Sequence, residues 1–198
     1  MTSRARTAFI DESFRRGPGD HGYYFLGAVI VPDAHIVELT GRLRAHLPSG
    51  MRRWHWREEG AGSRRRFTAL VAEFAAPGVE AVVCCQVTAS QRKGEQARVR
   101  CLWELLAVLR HGQVGTAVFE SRQEHNDRKD RREVISAQQA GVAAKGLIYR
   151  HGRPREEPML WVADAIVGAV GMEVASGQGQ FAALLPETWS KVRWVAAP

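Results

Sequence analysis

Residues 159–170, MLWVADAIVGAV, form an apolar run that contains a single charged residue, Asp164. The run is too short to span a bilayer and carries a carboxylate, so we predict a helix in the core of the protein. A buried carboxylate without a partner is costly, or its pKa shifts until it is neutral. Asp164 therefore needs a partner, which is either a cationic side chain or a bound metal ion.

The segment Thr7–Ser13 has the same feature at the other end of the chain, because an apolar strand runs directly into Asp11 and Glu12. Carboxylates on two hydrophobic elements far apart in sequence favour one shared site. Each acid also has a simpler explanation, which we keep open. Asp residues commonly cap turns through backbone amides, and buried acids usually pair with arginine.

The 198 residues are enough for a single domain with a sizeable core. Lys and Arg number 28 against 21 Asp and Glu, which gives a net charge of +7. The excess lies in short basic clusters: Arg52–Arg53 with Arg57, Arg64–Arg66, Arg92–Lys93 with Arg98 and Arg100, Arg128–Lys129 and Arg131–Arg132. Such clusters favour a nucleic acid, RNA or DNA, as partner, although solvated surface charge is the alternative.

Cysteine spacing and the N-terminal residues limit the class of protein further. The three cysteines include no CxxC or Cys/His pattern, so we expect no structural zinc site. Few, reduced thiols are typical of a cytoplasmic protein. Residues 1–6 lack the apolar core of a signal peptide, and we expect no association with a membrane.

Hydrophobic periodicity predicts alternating strands and helices. We expect strands over 7–13, 23–31, 79–88, 114–120, 146–150 and 192–195, and helices over 33–46, 63–75, 95–111, 131–144 and 159–175. Asp33 is the predicted N-cap of the first helix, and residues 14–22 and 121–129 are predicted loops. This order indicates an α/β fold whose mixed sheet has antiparallel first strands and parallel later ones, flanked by helices.

Three motifs together resemble the bacterial and phage family called domain of unknown function 3800. They are FIDES at residues 9–13, YFLGAVIV at 24–31 and LWVADAIVG at 160–168. The resemblance covers nearly the whole chain and implies a single ribonuclease H-like domain over residues 1–198. In that fold an Asp on the first strand, an acid after the fourth strand and an Asp on a late helix bind catalytic metals. Residues 33–78 would then be a helical insertion.

The resemblance implies that Asp11, Glu120 and Asp164 are the catalytic and metal-binding acids, with Glu12 near the metals. Phe14 departs from the family, which usually has Gly there, and the middle acid is more commonly Asp than Glu. Asp127 or Asp130 is therefore an alternative to Glu120, which is equally explained as a solvated strand end.

The aromatic and basic stretch from Arg53 to Arg57 is the second candidate region. The family often has a His-aromatic pair here, which implies that His55 approaches the scissile phosphate or a metal. Arg53 and Arg57 are candidate phosphate ligands. Trp54 and Trp56 either stack on bases or pack in the core. Further candidates for the nucleic-acid backbone are Arg128, Lys129, Arg131 and Arg132, unless they form a solvated helix face.

Hard oxygen ligands without a His/Cys pattern favour Mg²⁺ or Mn²⁺. The leading hypothesis is a divalent-metal-dependent nuclease or related phosphodiesterase that acts on nucleic acid. One alternative is a non-catalytic nucleic-acid-binding accessory protein that lacks a complete metal site. Another is a protein-interaction subunit, such as one half of a homodimer, whose basic loops are incidental.

Overall fold

The computed structural model describes residues 5–17, 21–89 and 94–196. Its strands are β1 (Arg6–Arg16), β2 (Gly22–Pro32), β3 (Glu80–Thr88), β4 (Thr116–Glu120), β5 (Ile148–Gly152) and β6 (Val192–Trp194). Its α-helices are α1 (Asp33–Ala45), α2 (Ala61–Ala72), α3 (Gly94–His111), α4 (Glu124–Gln139), α5 (Met159–Ser176) and α6 (Glu187–Ser190). Single turns of 3₁₀ helix lie at Trp56–Glu58 and Ala182–Leu184.

The strands form one six-stranded sheet in the order β5-β4-β1-β2-β3-β6. The first three strands pair antiparallel through β2. The later strands all pair parallel with their neighbours: β4 with β1, β5 with β4, and β6 with β3. The predicted mixed sheet, antiparallel first and parallel later, is confirmed.

Strand alternation divides the core into two layers, because successive side chains of a strand point to opposite faces. Phe9 of β1 packs on the face covered by α5, and Ile10 packs on the face covered by α3. Cys84 and Cys85 of β3 separate in the same way, and both thiols are buried. Any side chain at the end of β1 therefore faces one of two different environments.

Helix α5 is the core helix that its composition predicts. It is long and apolar enough to cross a membrane, but 72% of it is buried inside the fold. Its largest packing contacts are with β1 and β2, the two central strands of the sheet. Helices α1 and α2, which lie in the predicted insertion, also contact α5.

Three local predictions are wrong. Helix α4 begins at Glu124, so most of the predicted loop 121–129 is helical. Its first two turns are so polar that the apolar pattern starts only at Val134. Strand β1 continues to Arg16, beyond the predicted end at Ser13, because it stays paired with β2. Pro32 occupies the N-cap position of α1, and the Asp33 carboxylate accepts a hydrogen bond from Thr7 Oγ1 at 2.8 Å.

Candidate metal centre and nucleic-acid cleft

Parallel pairing of β1 and β4 brings two of the predicted acids together. Ile10 pairs with Phe119 at the end of the ladder, and the next residues along the two strands are Asp11 and Glu120. Asp11 follows Phe9 at the two-residue spacing of a strand, so its side chain points to the α5 face. Asp164 lies on α5, which covers that face. The fold thus gathers acids from the beginning, middle and end of the chain.

Asp11 is the central member of this acidic cluster, which we define as Asp11, Glu120 and Asp164. Its side chain is buried, with 8% exposure, and its carboxyl group is within hydrogen-bonding reach of both Glu120 and Asp164. The Asp164 carboxylate also accepts a hydrogen bond from the backbone N–H of Trp56 at 2.7 Å. The predicted juxtaposition of Asp11 and Asp164 is therefore present in the structure.

The cluster is electrostatically strained. Burial, followed by the negative charges of Asp164 and Glu120, raises the pKa of Asp11 well above its ordinary value. The pKa of Glu120 is also raised, first by burial and then by repulsion from Asp164. Burial raises the pKa of Asp164, although the Trp56 N–H and the nearby His55 partly oppose this effect. A divalent cation between these oxygens would remove the strain that raises all three values.

The simpler explanations of the two key acids do not fit the geometry. Asp11 lies inside β1 rather than in a turn. Among the residues that the structure describes, none of the ion pairs involves Asp11, Glu120 or Asp164. The partner of Asp164 is a backbone amide and not an arginine.

Glu12 lines the same cavity as the acidic cluster, but it is paired with protein cations and is not one of the unpaired acids. As the next residue along β1 it points to the opposite face of the sheet. There its carboxylate accepts hydrogen bonds from Tyr24 Oη and Arg98 Nε, both at 2.6 Å, and lies 3.4 Å from Arg122 Nη1. The Glu12 carboxylate is therefore neutralised by two arginines and bonded to a phenol, and these contacts support a structural role for Glu12.

The two alternatives to Glu120 also lie outside the acidic cluster. Asp130 is buried and accepts two hydrogen bonds from the Arg98 guanidinium and further bonds from Arg122. Asp127 accepts hydrogen bonds from Ser121 Oγ at 2.8 Å and from the backbone N–H of Arg122 at 2.9 Å. The geometry therefore favours Glu120 as the middle acid.

Asp127 and Asp130 do approach His151, and one ligand atom of each of the three lies within 4.8 Å of the others. Among the described residues, this is the group whose ligand atoms all lie that close together; those of Asp11, Glu120 and Asp164 do not, although Asp11 is near each of the other two. However, Arg98 and Arg122 already neutralise Asp130. Burial alone would raise the pKa of Asp130, but the hydrogen bond from His151 and the two arginines outweigh burial and lower it. The group is thus satisfied by protein side chains, unlike the acidic cluster.

The Trp54–Arg57 stretch contributes both to the core and to the site. Trp54 and Trp56 are only 3% and 1% exposed, and Trp54 stacks on Phe67 with ring centroids 4.0 Å apart. Stacking of these tryptophans on bases is therefore wrong, and core packing is correct. Gly168 of α5 makes room for Trp56, since a Cβ there would overlap the Trp56 ring.

His55 and Arg57, in contrast, line the cavity that contains the acidic cluster. His55 Nδ1 accepts a hydrogen bond from the backbone N–H of Arg57 at 3.2 Å, which leaves Nε2 as the protonated nitrogen of the neutral ring. Arg53 does not line the cavity and pairs with Glu58 at 2.6 Å, although its charge partly opposes the raised pKa of Glu120.

The basic residues of α4 form a solvent-exposed face. Arg128, Lys129, Arg131 and Arg132 are all exposed, whereas Asp130, Val134 and Ala137 on the other side of the helix are buried. Arg128 lies 3.8 Å from Glu124, an exposed pair that contributes little. The face is accessible to nucleic acid and is equally compatible with simple solvation. Arg92 and Lys93 lie outside the described residues.

The cavity above the acidic cluster has a volume of about 370 Å³. Its lining also includes Arg15, Arg98 and Arg122, which the sequence analysis did not name as site residues. Arg15 follows Asp11 and Ser13 at the two-residue spacing of β1 and therefore shares their face of the sheet. This residue was missed because the sequence predicts that β1 ends at Ser13. Arg98 and Arg122 were missed because their acidic partners are distant in sequence.

Solved structures of ribonucleases H are similar to this chain. A point mutant of Bst-RNase HIII matches over 92% of this chain and 56% of its own, with 15% identity and a TM-score of 0.52. This chain has a ribonuclease H-like fold. Ribonuclease H2 from Pyrococcus horikoshii OT3 matches over 93% of this chain and 82% of its own, with 16% identity and a TM-score of 0.49.

The ribonuclease HII of the PCNA:RNase HII complex from Archaeoglobus fulgidus has 16% identity and a TM-score of 0.48, over 81% of this chain and 70% of its own. Bst-RNase HIII has also been solved in complex with Mn²⁺, with 12% identity, a TM-score of 0.46, and coverage of 90% of this chain and 65% of its own. No protein-family model matches the chain, and no curated protein matches it in sequence. At such low identities the similarity is one of fold.

Proposed function

We propose that this ribonuclease H-like protein is a divalent-metal-dependent nuclease that hydrolyses phosphodiester bonds in RNA or DNA, and that it belongs to the domain of unknown function 3800 family. One observation carries the proposal. Asp11 is buried between two further carboxylates, the pKa of each is raised, and the described residues include no cationic partner in an ion pair with any of them. Protein interiors rarely keep such a group without a functional reason.

The donor set fits Mg²⁺ or Mn²⁺. Asp11, Glu120 and Asp164 offer only carboxylate oxygens, the ligands that hard divalent cations prefer, and they line an open cavity. The metal would supply Lewis-acid stabilisation of the negative charge at phosphorus and an activated water. Asp11 touches both other acids and would be the shared ligand.

The neighbouring side chains would bind and orient the substrate. Arg57 lines the cavity and would hold a phosphate oxygen through its guanidinium group. His55 also lines the cavity, and its Nε2–H would donate a hydrogen bond to the leaving oxygen. The buried side chains of Trp54 and Trp56 anchor the stretch that carries both residues. The backbone N–H of Trp56 also donates a hydrogen bond to the Asp164 carboxylate.

Cleavage of labelled single-stranded RNA, single-stranded DNA and an RNA/DNA hybrid, with Mg²⁺ and separately with Mn²⁺, tests the proposal. We expect at least one substrate to be cut, and Asp11→Asn to lower the rate by at least about 10³-fold, the scale on which essential groups of a catalytic unit act. If all three substrates survive both metals, the protein is not a nuclease of this class.

A pair of variants tests the middle acid. Glu120→Gln should abolish metal-dependent cleavage, whereas Asp127→Asn should retain it because Asp127 bonds Ser121 and the Arg122 amide instead. The opposite outcome would assign the role to Asp127. Metal titration separates the accessory-protein alternative, for which nucleic acid would bind in a salt-sensitive manner without any affinity for Mn²⁺.

A further inference from the structure

Three arginines from separate elements lie near one another, and two of them, Arg15 and Arg57, line the cavity that contains Asp164. Arg15 is on β1, Arg57 is in the 3₁₀ turn, and Arg64 is on α2. Burial, followed by the positive charges of Arg57 and Arg64, lowers the pKa of the half-buried Arg15, and the negative charge of Asp164 only partly opposes this. Gathering three like charges is unfavourable, so the arrangement indicates that an anion belongs between them.

Packing and a backbone hydrogen bond, and not ion pairs, hold the side chains of Arg64 and Arg15 in place. The Arg64 guanidinium lies over the Trp56 ring at 5.0 Å, and its Nε donates to the Trp56 carbonyl oxygen at 2.9 Å. The stem of Arg15 packs where α5 has Gly171, since a Cβ at that position would lie 3.5 Å from Arg15 Cγ. Trp56 thus fixes the Arg64 guanidinium group, and the space at Gly171 holds the stem of Arg15, which lines the cavity.

Arg15 has an unused donor. Its Nε is shielded from solvent and has no hydrogen-bond partner within the described part of the chain. Arg122 Nε is shielded and unpaired in the same way, and Arg15 Nε lies against α5, 3.6 Å from where a Cβ on Gly171 would be, so this donor alone does not indicate a ligand. None of the ion pairs among the described residues involves Arg15, Arg57 or Arg64.

The arginines on the other side of the same cavity differ in this respect. Arg98 pairs with Glu12 and Asp130, and Arg122 pairs with Glu12, Glu95 and Asp130. Their charge is therefore balanced by protein carboxylates. Arg15 and Arg57 also line the cavity, and neither forms an ion pair within the described part of the chain, although the charge of Asp164 is close to both.

We propose that Arg15, Arg57 and Arg64 form a phosphate subsite that binds the backbone phosphate next to the scissile one, on the Asp164 side of the acidic cluster. This inference rests on the proposed function, because the acidic cluster defines which phosphate is scissile. It specifies the substrate class as a polynucleotide with a phosphate on both sides of a nucleoside, and it makes Arg15 a binding residue that fixes where the chain is cut.

Metal-free binding tests the subsite without depending on catalysis. In EDTA, the affinity for an oligonucleotide of about 20 nucleotides, long enough to cover one such site, is measured by fluorescence anisotropy at several salt concentrations, for single strands and for the hybrid. Arg15→Gln should weaken binding about tenfold or more. It should also reduce the slope of log K against log salt by roughly 0.7 for a single strand or 0.9 for a duplex, the contribution of one phosphate.

The chain offers a matched control one residue away. Arg16 is on the same strand but is exposed and does not line the cavity. Arg16→Gln removes the same charge and should leave both affinity and slope close to those of the wild type. If the two variants lose affinity and slope equally, the effect is general electrostatics and the subsite is refuted.

A direct readout is the ¹⁵N-arginine spectrum, in which Arg15→Gln identifies the Arg15 Nε–H signal by its disappearance. That signal should shift when inorganic phosphate or the oligonucleotide is titrated in EDTA, and a signal that does not move refutes the subsite. Arg15→Lys guards against loss of folding. It keeps the charge and should preserve the salt slope, while its affinity falls because Lys lacks the planar set of donors.

The two proposals fail separately. If Asp11→Asn cleaves like the wild type, the nuclease assignment is wrong, whatever the arginine variants do. If Arg15→Gln binds like the wild type in EDTA while Asp11→Asn is inactive, the nuclease assignment stands and the phosphate subsite is wrong.

Discussion

Replacing Asp11 by Asn should stabilise the metal-free protein and remove its response to metal. In the wild-type protein the Asp11 carboxyl is buried against Glu120 and Asp164, and burial followed by their charges raises its pKa. The Asn amide is uncharged and can donate hydrogen bonds to both neighbours. The substitution thus removes the repulsion, and with it the central ligand.

The expected gain in stability follows from relief of this electrostatic strain. Substitutions that relieve a strained functional site commonly stabilise by about 0.5–2 kcal/mol. At about 2–4 °C per kcal/mol for a protein of this size, the metal-free melting temperature should rise by about 1–8 °C. Mn²⁺ at a hundredfold excess over Kd should stabilise the wild type by about 2.7 kcal/mol. The Asp11→Asn variant should show almost none of this gain in a thermal shift assay.

The pH dependence has a defined sign. Because folding raises the pKa of Asp11, this group binds more protons in the native state than in the unfolded state, and its contribution to stability falls as pH rises. For the metal-free wild type the fall should begin near the ordinary carboxyl pKa, at about pH 4, and extend through the raised values. It should be shallower in Asp11→Asn, since one of the coupled acids is gone.

Asp33→Asn is the control for this experiment. Asp33 is an exposed acid at the opposite end of β1, where its carboxylate accepts from Thr7 Oγ1. Its replacement should be neutral or slightly destabilising, with the full Mn²⁺ shift retained. If Asp11→Asn lowers the metal-free melting temperature and still responds to Mn²⁺ like the wild type, the acidic cluster is neither strained nor a metal site.

Two further predictions concern the structure that supports the site. Gly168→Ala would place a Cβ against the Trp56 ring and should lower the free energy of unfolding in urea by about 1–3 kcal/mol. Gly41→Ala, where a Cβ meets no heavy atom within 4 Å, should be neutral or stabilise by up to about 1 kcal/mol. Equal effects of the two variants would contradict the packing of Gly168 on Trp56. Asp130→Asn removes the buried bidentate partner of Arg98 and should lower the free energy of unfolding by about 3–5 kcal/mol at neutral pH. This loss should shrink as pH falls through the lowered pKa of Asp130. A difference between variant and wild type that does not change with pH would contradict the pairing.

Most of the fold could be predicted because its signals are local. The buried strands and the amphipathic or apolar helices each fill a segment with the expected period, and their bounds agree within a few residues. Helix α4 was misplaced because its first two turns bury a charged residue, Asp130, in place of an apolar one. Its pairing with Arg98, which lies 32 positions earlier in the sequence, leaves no local pattern.

The site was predictable to the extent that each acid ends or interrupts an apolar element. This signal points to Asp11 and Asp164, and strand pairing then brings Glu120 alongside. The signal fails for Glu12, which follows the same apolar run but is turned by strand alternation towards Arg98 and Tyr24. Which acids remain unneutralised depends on contacts across the fold, and those are absent from any short window of sequence.

Adjacent residues of β1 show two different outcomes for a buried acid. Glu12 is bound by Arg98 and Arg122, so this fold can deliver guanidinium groups to the end of β1. One residue earlier, on the other face, Asp11 is surrounded by carboxylates and has no ion pair among the described residues. If stability alone had shaped this end of the sheet, an arginine paired with the Asp11 carboxylate would have been the simple solution. The structure instead leaves Asp11 without an ion-pair partner among the described residues, which supports the proposed cation-binding centre.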